Sequence, residues 1–272
     1  MSAKELPVIE PALLYEKRDG IAYLTINRPE RHNAFSPEVI CRLADAWQDY
    51  AADDSLRVAI ITGAGDKSFS SGADLGRLTP LMSGGRRPED EWDHRLLANP
   101  KLGQIATLRS FSLYKPIIAA INGFCLAGGC ELIQATDIRV AAERATFALT
   151  EVKWSLLPYA GSMVRLPRQV AYSKAMEIML VGDTFDAQEA YRIGLINYVV
   201  PANRVMTKAE ELARKPRDVL KPLLDQRERR RNSIRETLPK GVLQCGRHTG
   251  ERLGLLLHQP VEPLEPFTGA ER

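Results

Sequence analysis

Two short apolar runs, each stopped by glycine, constrain this chain more than any other feature. Val58-Ala-Ile-Ile-Thr62 ends at Gly63, and Ile117-Ile-Ala-Ala-Ile121 ends at Asn122-Gly123. Neither run alternates with polar residues, so each reads as a strand covered on both faces. Strands of that kind need layers on either side, which points to an α/β body with largely parallel pairing.

The segments around these runs fit that frame. Ala12–Arg18 and Ile21–Asn27 are strand-like and parted by Asp19-Gly20, a hairpin signal. Ser36-Pro37 reads as an N-cap with proline at the first helical position. Val39, Ile40, Leu43, Trp47 and Tyr50 then recur at helical spacing to about Asp53. The polar stretch 80–95 reads as a mobile surface loop, and a helix is expected from about Leu96 to Tyr114. Gly128-Gly129 opens a short helix, and Asp137–Ala142 is another strand. Ser173–Val181 is a helix closed by Gly182, Asp186-x-x-Glu189 a capping box, and Ile196–Val200 a last strand. Beyond residue 205 the chain turns Arg- and Leu-rich and helical.

Composition excludes several classes. With 272 residues and 44% apolar content the chain can bury a core without disulfides or metal. Its 37 basic and 34 acidic residues nearly balance, so nothing demands a nucleic acid or a membrane as partner. Cys41, Cys125, Cys130 and Cys245 form no CxxC pair, which argues against zinc and suits free thiols in a reducing cytoplasm. No apolar run is long enough to span a bilayer, and the N-terminus lacks a signal core.

Familiar catalytic motifs are missing. After Gly63-Ala-Gly65 the third glycine of a dinucleotide loop falls on Ser68. There is no P-loop, no HExxH helix and no GxSxG elbow, Ser162 lying in AGSMV. His32, His94, His248 and His258 are scattered and read as surface or loop residues.

What remains is a pair of glycine-rich turns and a pair of carboxylates. Ser70-Ser-Gly-Ala-Asp74 and Leu126-Ala-Gly-Gly129 each follow a buried strand and lead into a helix. Two helix starts offering free N–H groups could grip one developing negative oxygen, as an oxyanion hole does for a thioester enolate. Two ordinary tight turns are the simpler alternative. Glu131 and Glu151 both stand among apolar residues, where desolvation raises a carboxyl toward acid–base use. A dipole partner for one and a salt bridge for the other are equally open.

The stretch Ala119-Ala-Ile-Asn-Gly-Phe-Cys-Leu-Ala-Gly-Gly-Cys-Glu-Leu-Ile-Gln-Ala-Thr-Asp137 resembles the signature segment of the enoyl-CoA hydratase/isomerase (crotonase) family. Asn27-Arg-Pro-Glu30, Asn33-Ala34, Phe69–Asp74, Lys115-Pro116, Leu157-Pro-Tyr-Ala-Gly161, Ala187–Ala190 and Gly194-Leu195 resemble family landmarks in the same order. The likeness covers roughly residues 10–205. It implies an α/β fold, a crotonase-like spiral of ββα turns, with a helical C-terminal oligomerisation region. The expected division is a catalytic core over 1–205 and a helical region over 206–272.

The resemblance also implies roles. The N–H groups of Ala73 and Gly128 match the family's oxyanion-hole donors. Glu131 and Glu151 match the two catalytic glutamates of the hydratases, Glu131 activating water and Glu151 protonating the α-carbon. Ser71, Gly72, Asp74 and Leu75 match the loop near coenzyme A. Gly76 replaces a frequent lysine, leaving Arg77 as the candidate for the phosphates. Met82, Trp92, Leu96 and Leu97 are candidates for the acyl wall. The implied activity is hydration of a trans-2-enoyl-CoA in the cytoplasm, the coenzyme A thioester being substrate, with no metal or redox cofactor. Isomerisation of an enoyl-CoA is the alternative, and a silent acyl-CoA- or RNA-binding relative the alternative of another class. A homotrimer or hexamer is implied. The run Arg227–Arg231 with Arg235 reads as a solvated helix face, and Pro260, Pro263 and Pro266 interrupt a final helix.

Overall fold

The computed structural model describes residues 10–215. Strands β1 (Leu13–Arg18) and β2 (Ile21–Ile26) pair antiparallel from Leu13↔Ile26 to Arg18↔Ile21. Asp19 and Gly20 turn the hairpin with φ of 53° and 72°, the left-handed conformation an Asp-Gly turn supplies. Helix α1 (Pro37–Ala52) starts where the Ser36 side chain accepts from Val39 N–H. Its buried stripe contains Val39, Ile40, Leu43, Trp47 and Tyr50. The two aromatics keep their polar tips satisfied: Trp47 Nε1 donates to Ala106 O at 3.1 Å and Tyr50 Oη to Pro116 O at 2.8 Å.

From there the chain repeats one motion. A strand enters a large sheet, a very short strand enters a small one, and helical turns return it. The first pair is β3 (Val58–Gly63) and β4 (Ser68–Ser70), followed by α2 (Leu78–Met82), α3 (Glu91–Ala98) and α4 (Lys101–Ala106). The second is β5 (Ile117–Ile121) and β6 (Phe124–Leu126), followed by α5 (Gly128–Ile133). The third is β7 (Ile138–Ala142) and β8 (Thr146–Ala148), followed by a 3-10 turn (Thr150–Trp154), α6 (Ser162–Arg165) and α7 (Tyr172–Val181). Then come β9 (Phe185–Asp186), α8 (Ala187–Arg192), β10 (Tyr198–Val200) and α9 (Val205–Arg214). The large sheet has the order β1-β2-β3-β5-β7-β10, the small one β4-β6-β8-β9. Among the described strands only the β1–β2 and β8–β9 pairs are antiparallel. This is the spiral of ββα turns that the family resemblance implies.

Every residue of β3 and β5 is buried, as their unbroken apolar runs require. Helix α9 lies against β3, β5 and β7 and buries Val205, Ala209 and Ala213. The arginine run and the three late prolines lie outside the described residues, as does Cys245.

Two expectations need correction. The stretch 80–95 is not a plain surface loop. The Asp90 side chain caps α3 by accepting from Asp93 N–H. Arg86 then clamps the fully buried Asp93 with two hydrogen bonds, Nη1 to Oδ2 at 2.6 Å and Nη2 to Oδ1 at 2.7 Å. The helix expected over 96–114 is split instead. Asn99 precedes Pro100, and a proline pushes its predecessor out of the helical region, here to φ −136° and ψ 81°. Helix α3 therefore stops at Ala98, α4 ends at Ala106, and 107–114 is irregular.

Candidate active site

The site is built where the turn after β4 meets the turn after β6. Phe35 forms a parallel bridge with Ala73: its N–H donates to Gly72 O at 2.7 Å, and its O accepts from Asp74 N–H at 3.0 Å. That pairing uses the neighbours of Ala73 and leaves its own N–H without a protein acceptor among the described residues. Gly128 opens α5, so its N–H belongs to the first turn and has no partner within the helix. The preceding Ala127 holds φ 46° and ψ −125°, a conformation that costs an alanine on the order of 1–3 kcal/mol and orients the helix start. Gly72 lets the two turns touch. With φ +86°, a side chain there would bring Cβ within 2.7 Å of Ala127 Cβ and 2.8 Å of Gly128 N.

Both N–H groups belong to residues lining one cavity of about 780 Å³, and Glu131 and Glu151 line it too. Glu131 lies in the first turn of α5 and is only 3% exposed. Its Oε2 accepts from Ala160 N–H and its Oε1 from Ser162 N–H, both at 3.0 Å. Burial pushes its carboxyl up, and those backbone donors pull it back without cancelling the rise. Glu151 lies in the 3-10 turn and is also buried, with Oε2 lacking a hydrogen-bond partner. Burial first, and the nearby charge of Glu131 second, push its carboxyl up to about 7. The pair is thus divided by environment: Glu131 is held as an acceptor, Glu151 is biased toward carrying a proton.

The other expected residues separate. Ser71 and Leu75 line the cavity. Asp74 lines it as well, but both its oxygens are committed to the loop. Oδ2 pairs with Arg28 Nη1 at 2.8 Å, and Oδ1 accepts from the N–H groups of Gly76 and Arg77 at 3.0 Å. Burial alone raises that carboxyl, yet Arg28 and the backbone donors outweigh it and hold it below its ordinary value. Arg77 is not among the lining residues, because its guanidinium turns to Asp90 Oδ2 at 2.6 Å. Met82 and Leu96 line the cavity. Trp92 does not; its ring lies beneath the Arg42 guanidinium at 4.6 Å. Leu97 is exposed and off the cavity.

Three lining side chains were not foreseen: the cations Arg31 and Arg109, and the His32 ring. His32 fits its surface reading in being exposed, yet its Nδ1 lies 2.9 Å from Ser68 Oγ at the cavity edge. Arg109 stacks on the ring of Tyr159, 3.8 Å from its centre. Isolated charges in polar loops carry no periodic signal, so only the folded chain reveals them. Among the described residues no group of three or more His, Cys, Asp or Glu side chains is placed to hold a metal ion.

The enoyl-CoA hydratase/isomerase family model matches residues 16–240. The chain belongs to that family. Family members of known name are similar over most of their length. An enoyl-CoA hydratase of Mycobacterium tuberculosis is 41% identical over 203 residues, 75% of this chain and 73% of the relative. The (E)-benzylidenesuccinyl-CoA hydratase of Thauera aromatica is 37% identical over 200 residues, 74% of each chain. Among solved structures of the family, a carnitinyl-CoA dehydratase from Mycobacterium avium superposes with a TM-score of 0.71, at 35% identity and 91% coverage of both chains.

Proposed function

We propose that this chain is an enoyl-CoA hydratase, adding water across the 2,3 double bond of a trans-2-enoyl-CoA to give a 3-hydroxyacyl-CoA. The carrying observation is the convergence of two unpartnered N–H groups and two unlike glutamates on one cavity. The thioester oxygen accepts from Ala73 and Gly128 N–H, which stabilise the negative charge that forms there when the β-carbon is attacked. Glu131, whose oxygens accept from Ala160 and Ser162 N–H, removes a proton from water as the oxygen bonds to the β-carbon. Glu151 delivers its proton to the α-carbon. One proton is then left on Glu131 and one is missing from Glu151. Transfer between the neighbouring carboxyls restores the starting state.

The coenzyme A moiety is assigned to the end lined by Ser71 and Leu75, with Gly72 letting the backbone approach. Arg31 is the cation available to its phosphates there, in place of Arg77, with the His32 ring as a further hydrogen-bonding group. A homotrimer or hexamer is supported by a run of exposed apolar residues between Val152 and Val181, including Leu157, Tyr172 and Leu180. The buried, unpaired Cys41, Cys125 and Cys130 suit a reducing cytoplasm. No helix among the described residues is long and apolar enough to cross a membrane.

The test is loss of the enoyl-thioester absorbance with a panel of trans-2-enoyl-CoAs. Glu131→Gln and Glu151→Gln are each expected to lower kcat by at least about 100-fold, with acyl-CoA binding largely kept. Full activity in either variant overturns the mechanism. No turnover by the unaltered protein, together with shift of a 3-enoyl-CoA double bond, makes it an isomerase.

A further inference from the structure

A buried polar pair stands directly behind Glu131. Gln134 is one helical turn further along, at the C-terminal edge of α5, and is 2% exposed; Ser162 opens α6 and is fully buried. Gln134 Nε2 donates to Ser162 Oγ at 2.9 Å and to Cys130 O at 3.1 Å. A carbonyl oxygen only accepts, so the Cys130 contact fixes which end of the amide faces Ser162. The Ser162 hydroxyl is therefore the acceptor in that bond, and its own proton remains available to another group. The backbone N–H of the same serine donates to Glu131 Oε1. Gln134 thus ties the helix that carries the glutamate to the residue that solvates it.

We propose that Ser162, held by Gln134, is a positioning residue that sets the basicity of Glu131. It acts through its backbone N–H, whose position the Gln134–Ser162 Oγ bond fixes, so that one carboxylate oxygen is held in place and the base is oriented toward the cavity. A buried polar pair inside an apolar core costs desolvation unless it is bonded. Here the Gln134 amide N–H groups are bonded to Ser162 Oγ and Cys130 O, while its Oε1 has no partner among the described residues. The serine's backbone N–H is bonded to Glu131. The direction agrees with the electrostatics: the Ser162 side chain is among the groups that pull the Glu131 carboxyl down against its burial. Other charges facing Glu131 are Glu151 from the 3-10 turn and Arg165 from α6. Neither is altered by removing the serine hydroxyl. The inference rests on Glu131 being the base of the hydration proposed above.

The test is the pH profile of kcat/KM for the full-length protein, with whichever trans-2-enoyl-CoA of the panel turns over fastest. Ser162→Ala keeps the backbone donor and removes the hydroxyl. It is expected to move the acid limb up, by about one pH unit at most, with KM nearly unchanged, because the serine that donates to the carboxylate loses its Gln134 tether. Gln134→Met, which frees the hydroxyl without removing it, is expected to move the same limb in the same direction by less. It serves alone if the alanine variant does not fold. An acid limb that stays in place in a folded variant, with only the melting temperature lowered, overturns the inference. So does a change confined to KM. If Glu131→Gln is itself fully active, the hydration mechanism falls instead, and the two failures are told apart.

Discussion

At the scale of single residues, the difference between Glu131 and Glu151 is one of supply. Glu131 has two backbone donors, whereas one oxygen of Glu151 has none and a like charge stands beside it. The consequence reaches stability as well as chemistry. The folded Glu151 titrates at about 7, above its ordinary value of 4.5. The folded state therefore keeps a proton that the unfolded chain has already released. That contribution is fully present below pH 4.5 and is lost as the pH rises through 7. Glu151→Gln removes the dependence, so the variant is expected to be more stable than the unaltered protein at pH 8, by on the order of 2 kcal/mol, with a much smaller gain at pH 5. Denaturant titrations at the two pH values read it. An equal difference at both contradicts the assignment. Read from the residues alone, the sequence showed two glutamates among apolar neighbours, and only the family resemblance set them apart. The physical basis of their difference was not legible, because Ala160 and Ser162 come some thirty positions after Glu131 and reach it only through the fold.

At the scale of elements, the long apolar runs announced themselves and the three-residue strands did not. Strand β3 and strand β5 are read directly from unbroken Val, Ile and Ala, and α1 from its cap and its stripe. Strands β4, β6 and β8 are too short for any period to show, and they take their shape from pairing with one another. The segment 78–98 went unread for another reason. Its arginines and aspartates look like a solvated loop until Arg86 and Asp93 are seen as a single buried clamp. Asp93 is held down to about 2, chiefly by Arg86, so it is ionised throughout the useful pH range. Arg86→Met is expected to leave that buried charge with only the Glu89 N–H and the more distant Arg77, and to loosen the segment by on the order of 1–3 kcal/mol. Faster amide exchange confined to 78–98, with the exchange of β3 and β5 unchanged, is the result to look for. Met82 and Leu96 belong to this segment and line the cavity, so KM is expected to rise with it.

At the scale of the whole molecule, the spiral determines where chemistry can occur. The corners after β4, β6 and β8 all line the one cavity, and the glycine-rich corners after β4 and β6 are pressed together through Gly72. The β8 corner adds Glu151 from its 3-10 turn. The exposed apolar run from Val152 to Val181 adjoins this site, since Trp154, Leu157 and Tyr159 also line the cavity. Replacing Tyr172 and Leu180 together by glutamate is expected to lower the mass measured by light scattering, while Glu131 and Glu151 keep their surroundings. An unchanged mass contradicts the proposal that this face makes the contacts of a homotrimer or hexamer.

The sequence by itself determined the class of fold, the order of its main strands, the capped helix α1 and the identity of two glycine corners and two glutamates. These are local properties: runs, caps and turns act over a few residues, and apolar patterning declares what must be buried. The tertiary structure alone decided that Ala73 and Gly128 line one cavity together, that Arg77 pairs with Asp90 off it, and that one glutamate is solvated by backbone while one oxygen of the other has no partner. Those outcomes depend on which segments meet across long stretches of chain. Hydrogen bonding and desolvation act between neighbours in space, whatever their distance in sequence.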